Sequence, residues 1–101
     1  MHQHYQELTK NTANYIPLSP LSFLARTADI FGARTAIIYG DRHYNWQQTY
    51  GRCRALASAL NRHGLGLGDT VSIIAANTPE MYEAHFGVPM AGCVLNTINT
   101  R

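Results

Sequence analysis

The sequence predicts an α/β protein with an incomplete sheet: a β-hairpin, two helices and one parallel β-α-β unit. Three observations predict it. Apolar residues recur at helical spacing over two capped stretches, near residues 19–32 and 45–64. A Gly40-Asp41 pair separates two short β-prone runs. A nearly continuous apolar run from Val71 to Ala76 leads into a third helix and then into a second apolar run, Cys93 to Asn96.

Each element has its own warrant. Residues 1–14 are polar and aperiodic and read as a loose arm. Its His2 and His4 form a two-histidine pair with no third ligand nearby, so a metal site is not expected there. Ser19 can cap the first helix, and Pro20 suits the first helical position. Leu21, Leu24, Ala25, Ala28 and Phe31 then form one apolar stripe, and Gly32 offers a stop. Strands Ala36–Tyr39 and Arg42–Tyr44 flank a two-residue turn with glycine first. Asp41 is therefore a turn residue and not a catalytic acid. Asn45 and Gln48 have capping-box spacing at the head of the longest helix. Its stripe is Trp46, Tyr50, Cys53, Ala57 and Leu60, with Leu56 beside it, and Gly64 ends it. Arg52, Arg54 and Arg62 are expected to form a solvated face on that helix.

The stretch "GLGLGDT" is rich in glycine but follows a helix and precedes a strand. A phosphate cradle needs the opposite order, because the anion sits on the N-terminus of a following helix. These glycines are expected to serve a connection. The run from Val71 suggests a strand covered on both faces. The next helix starts at Thr78-Pro79, or at Asn77 with Glu80 three residues on. Pro89 should kink or end that helix near Gly87–Pro89, because it lacks an N–H and crowds the carbonyl of His85. Gly87, Ala91 and Gly92 leave room for another backbone to approach. His85 lies among Met81, Phe86 and Val88 and is expected to be buried and hydrogen-bonded. Residues 70–96 thus form one β-α-β unit.

Composition narrows the function. The 101 residues allow one small domain, and 46% hydrophobic with 14% charged residues is too apolar for intrinsic disorder. A net charge of +2 is too small to imply a nucleic-acid or membrane partner. Cys53 and Cys93, forty positions apart, read as free buried thiols. No apolar run approaches the length of a membrane span and no signal sequence opens the chain, so a cytoplasmic location is expected. No nucleophile elbow, Walker loop or zinc-protease motif occurs, and the six acidic residues form no evident pair. The second parallel strand falls at the end of the sequence. A parallel pair needs neighbours, so the chain is expected to be the N-terminal piece of a larger α/β protein.

From about Tyr15 to Arg101 the chain resembles the opening of an acyl-CoA synthetase, within the AMP-binding, adenylate-forming ligases. The resemblance is carried by "YIPLSPLSFLARTADIFG", "IIYGDRHYNW", "GLGLGDTVSII" and "NTPEMYEAHFGVPMAG", in that order and spacing, with "LNTINTR" resembling the branch that acts on fatty and related acids. It implies an arm over 1–14 and a truncated adenylate-forming domain over 15–101. It implies a parent enzyme that uses ATP, Mg²⁺ and CoA to convert a carboxylic acid into acyl-CoA through an acyl-adenylate. The family's phosphate loop, ribose-binding Asp and catalytic Lys lie beyond the matched stretch. No catalytic, cofactor-binding or metal-binding residue is carried over, and this piece alone is expected to bind none of those cofactors and to be inactive. Its expected partners are the rest of the ligase chain and, through an uncovered sheet edge, a second copy. The alternative is a stand-alone dimerisation or docking module derived from the same subdomain.

Overall fold

The computed structural model describes residues 19–98; the arm with His2 and His4, and residues 99–101, lie outside them. The order of elements is α1 (Pro20–Phe31), β1 (Thr35–Tyr39), β2 (Arg42–Asn45), α2 (Trp46–Arg62), β3 (Thr70–Ile74), α3 (Pro79–Met90) and β4 (Val94–Ile98). β1 and β2 pair antiparallel, while β3 and β4 pair parallel in a separate sheet across α3. The expected hairpin, three helices and β-α-β unit are all present, and among the described residues each sheet has only two strands.

Local chemistry accounts for the boundaries. Ser19 Oγ accepts from the Leu21 N–H at 3.0 Å ahead of Pro20. At α2, Asn45 and Gln48 make the reciprocal capping box, at 2.7 and 2.9 Å. The ends of α2 and α3 share one device. Gly64 and Gly92 adopt φ of 82° and 89°, conformations that only glycine adopts cheaply. Gly64 N–H donates to Asn61 O and Leu65 N–H to Leu60 O; Gly92 N–H donates to Pro89 O and Cys93 N–H to Val88 O. Both are Schellman closures. α3 therefore runs one residue past Pro89 before it ends. Gly40, at φ 60°, opens the hairpin turn.

The core lies where α2 and α3 cross over one face of β3–β4. Ala57, Ala84, Val88, Ala91 and Cys93 are buried there, with Leu56, Leu60, Val71, Ile73 and Leu95 packed around them. Gly87 makes the crossing close: a Cβ on it would stand 2.7 Å from Leu56 Cδ2 and 3.0 Å from the Cys53 carbonyl oxygen. The expected small-residue approach is thus made by α2.

Four expectations are corrected. β3 alternates, with Val71 and Ile73 inward and Ile74 68% exposed, because its second face is uncovered among the described residues. The strand also stops at Ile74, short of Ala76. Phe31 is exposed, since the helix buries Leu24 and Ala28 and turns its last residue outward. Gly32 has φ of −53°, so it does not act as a left-handed stop; a Cβ there would sit 2.5 Å from the Ala28 carbonyl oxygen, and closeness is what favours glycine.

Candidate functional site

No catalytic residue is expected from the sequence, so the site is sought where the fold gathers charge and leaves apolar surface. Charge gathers at the head of α3. Glu80 lies in its first turn and Glu83 one turn further on, buried at 6% exposure. Arg42 reaches them from β2 and Arg52 from α2. Arg42 presents two nitrogens to the two carboxylate oxygens of Glu80, one at 3.3 Å. Arg52 Nη2 donates to Glu80 Oε2 and to Glu83 Oε1, both at 3.2 Å, and its Nε donates to Glu83 Oε2. Tyr44 lies between the two guanidinium groups. Its hydroxyl accepts from Arg42 Nε and Nη2 at 3.1 and 2.8 Å, and Arg52 stacks 4.6 Å from its ring centroid.

The charges answer one another. Hydrogen bonding from Arg42 holds the Glu80 carboxyl below its ordinary range. Glu80 and Glu83 raise the already high pKa of Arg42 and Arg52 respectively. Two cations meet two anions, so no unpaired base or nucleophile results. The cluster can tie the hairpin and α2 to α3; acid–base chemistry has no free group here. Glu80 and Glu83 are the acidic pair that sequence reasoning missed, and Arg52 is turned inward where a solvated face was expected. One signal was legible: Glu83 interrupts the apolar face of Met81, Ala84 and Val88, and a buried carboxylate requires a partner. Arg54 and Arg62 are exposed as expected.

Beside this cluster runs a groove of about 670 Å³ between β1 and the first half of α3. Ile37, Ile38, Met81, Tyr82 and Phe86 supply its apolar walls, and Asn77, Thr78 and His85 its polar atoms. His85 was expected to be buried; it is exposed, and its Nδ1 lies 2.8 Å from the Met81 carbonyl oxygen, so the hydrogen bond is present without the burial. It faces outward because the groove is open. Cys53 and Cys93 are free and buried, as expected, and burial pushes the Cys53 thiol up to about 11. Asp41 is exposed at the hairpin tip.

The glycine loop does not fit a phosphate. The Gly66 N–H that a phosphate would need already donates to Asp69 Oδ2 at 2.8 Å, and that carboxylate would repel an anion. Asp69 closes the turn again by donating its N–H to the Gly66 carbonyl at 3.0 Å. No group of three His, Cys, Asp or Glu suited to a metal occurs among the described residues. No helix there is long and apolar enough to cross a membrane.

The model of the AMP-binding enzyme family matches residues 24–101. The chain is 59% identical over 95 residues to acetate–CoA ligase CCL3 of Humulus lupulus, and 57% identical over 95 to the peroxisomal acetate/butyrate–CoA ligase AAE7 of Arabidopsis thaliana. It is 54% identical over 95 residues to the peroxisomal trans-cinnamate:CoA ligase of Petunia hybrida. In each case the match takes in 94% of this chain and 17% of the relative. Among solved structures, the N-terminal subdomain of Klebsiella oxytoca NpsA superposes with a TM-score of 0.76 at 25% identity, over 82% of this chain and 22% of that one. The O-succinylbenzoate coenzyme A synthetase MenE of Bacillus subtilis, in complex with ATP and magnesium ion, does so at 0.72 and 25%, over 78% and 22%. A hairpin, a closely crossed helix pair and a parallel β-α-β unit in this order are the start of an adenylate-forming fold. The chain belongs to the AMP-binding enzyme family, and it spans about a sixth of the length of the CoA ligases it matches.

Proposed function

We propose that this chain is the N-terminal portion of an ATP-dependent carboxylic acid–CoA ligase, and that it contributes scaffold to that enzyme and no catalytic group. The observation that carries this is the 59% identity with an acetate–CoA ligase over 94% of the chain. The parent joins a carboxylic acid to AMP with release of pyrophosphate, and then passes the acyl group to the thiol of CoA with release of AMP. ATP, Mg²⁺ and CoA are its cofactors; the MenE complex supports the first two. No step is assigned to residues 19–98, whose buried side-chain nitrogen and oxygen atoms all have hydrogen-bond partners. The adenylate-forming domain starts near residue 15, after an arm over 1–14.

The names of the relatives span acetate, butyrate and cinnamate, which supports a short-chain or aromatic acid among the fatty and related acids expected from the sequence. Two of those names also carry a peroxisomal location, which supports the peroxisome over the cytoplasm for the parent. Fluorescence imaging of the tagged, extended protein distinguishes the two.

The deciding experiment is acid-dependent ATP–pyrophosphate exchange, with CoA-thioester formation measured alongside. An enzyme extended to the length of its relatives should be active on at least one acid from acetate to cinnamate, and the 101-residue chain on none. A folded, extended protein inactive on the whole series would overturn the reading. The exposed face of β3–β4 favours one second reading, a stand-alone module that docks on another chain through its open sheet edge. A monodisperse, cooperatively melting monomer would count against that.

A further inference from the structure

Among the described residues β1 pairs with β2 alone, so its other edge is open. The groove between β1 and α3 runs along that edge. Residues of a strand alternate between its two faces, so a groove over one face of the hairpin would be lined by every second residue of β1 and by β2 as well. Here four consecutive residues, Ala36 to Tyr39, line it, and no residue of β2 does. The hairpin turn decides which backbone groups look that way. Tyr39 and Arg42 flank the two-residue turn and exchange hydrogen bonds; the pattern alternates from there, so Ile38, opposite His43, turns its N–H and C=O to the open edge. Ala36, where the register shifts between Thr35 and Ile37, has no partner on β2. Neither proline nor charge stands on this strand to discourage pairing.

We propose that the occupant of this edge, in the 101-residue chain, is β1 of a second copy, in a two-fold antiparallel pair centred on Ile37. What fits is a short apolar strand with a free edge of its own. Open strand backbone is satisfied by another strand, and the far wall of the groove, Met81, Tyr82 and Phe86, is apolar. Among the described strands β1, Thr-Ala-Ile-Ile-Tyr, has that composition, and β2, Arg-His-Tyr-Asn, does not. The outward side of β3–β4 carries Ser72 and Asn96 at its middle, already bonded to each other at 3.1 Å. A two-fold axis at Ile37 sets Ile38 of each copy opposite Ala36 of the other, so the open backbone groups of the two copies meet. It also covers Ile38 and Tyr39, now 66% and 46% exposed. The flanking charges agree with this register. Arg34 precedes β1 and Asp41 follows it, and both are exposed. Antiparallel pairing brings Arg34 of each copy within one residue of Asp41 of the second, whereas parallel pairing would set Arg34 against Arg34. The contact is isologous, so it closes at two copies and does not grow into a filament. It stands apart from the ligase reading, and its failure would leave that reading intact.

Sedimentation velocity on the 101-residue chain, over a wide range of concentration, tests this. The chain should pass from monomer to dimer as concentration rises, and stop there. Ile38→Lys, at an exposed position, should weaken the dimer at least about tenfold at unchanged far-ultraviolet circular dichroism. Arg34→Asp or Asp41→Arg alone should weaken it severalfold in low salt, and the two together should restore it, because the charges then attract in exchanged places. A chain that stays monomeric at every concentration would overturn the proposal. So would a dimer that Ile38→Lys leaves unchanged, in favour of the exposed face of β3–β4. A double charge exchange that dimerises no more tightly than either single one would equally overturn it.

Discussion

Gly87 and Gly51 are both helical glycines, and one added methyl group should push them in opposite directions. At Gly87 the new Cβ would meet Leu56 Cδ2 at 2.7 Å and the Cys53 carbonyl at 3.0 Å, at the tightest point of the α2–α3 crossing. Backbone cannot yield cheaply, so Gly87→Ala should cost about 1–3 kcal/mol, seen as a lower urea midpoint at unchanged slope. At Gly51 nothing lies within 4 Å, so Gly51→Ala should gain about 0.5–1 kcal/mol by restricting the unfolded chain. If both substitutions move the midpoint the same way, the crossing is not where the helices touch. The Arg52–Glu83 pair allows a second test at this scale. Glu83 is buried while the Arg52 side chain is 38% exposed, so removing the cation strands a carboxylate that water reaches only in part. Arg52→Ala should cost about 1–3 kcal/mol, less than a fully buried pair would lose. Combining it with Glu83→Gln should recover part of that loss, because the stranded charge goes too; strict additivity in the double-mutant cycle would show that the two do not interact. Cys53 and Thr49, each fully buried on α2, mark the limit of periodicity as a guide. Cys53 falls on the predicted stripe; Thr49 does not, and is admitted because its hydroxyl donates to the Asn45 carbonyl at 2.8 Å.

The elements were legible wherever their specification is local. Caps at Ser19, Asn45 and Thr78 and the stop at Gly64 act within a few residues of themselves, so their spacing can be recognised without knowing the fold; the stop at Gly92 was read only as a place for close backbone approach. The hairpin was legible for the same reason, although the irregular register between Thr35 and Ile37 was not, since only pairing reveals a bulge. Illegible were the features made by separated elements: the exposure of His85, the alternation of β3, and the ion cluster whose partners lie 28 to 38 residues apart. That cluster joins β2, α2 and α3, and it gives the assembly of these elements an acid limit. The folded Glu80 carboxyl titrates below its ordinary value of 4.5 because Arg42 bonds its charged form. A group depressed in the folded state contributes stability that is present above its unfolded value and lost as pH falls through the folded one. Stability from Glu80 should therefore be full above about pH 5 and fade below 4.5. Both partners are exposed, so the contribution is small and should shrink in salt. Glu80→Gln should flatten the acid limb of a stability–pH profile in low salt and leave the neutral limb nearly unchanged. An acid limb identical to that of the parent chain would assign the loss to other carboxylates.

At the scale of the whole molecule, the two faces of the β3–β4 pair have different fates. Val71, Ile73 and Leu95 pack on the core, whereas Ile74, Val94 and Ile98 are 68%, 58% and 40% exposed. Two strands are too few for independent stability, so this sheet is held from one side by α2 and α3 alone. The helical crossing has the buried cluster, the Schellman closures and the ion pairs. The sheet has its five paired positions, and each strand has an open edge among the described residues. Opening free energies should therefore divide along the same line. In the 101-residue chain, amide hydrogens of β3 and β4 should exchange markedly faster than those in the middle of α2 and α3. In a protein extended to the length of the relatives, which this chain matches over only 17% of their residues, further chain is available to cover the outer face. There the strand amides should become as protected as the helical ones, while α2 and α3 change little. Hydrogen-exchange mass spectrometry on both proteins makes the comparison peptide by peptide. Strands already as protected as helices in the short chain would mean that the pair needs no further cover, and the scaffold would then be complete as it stands.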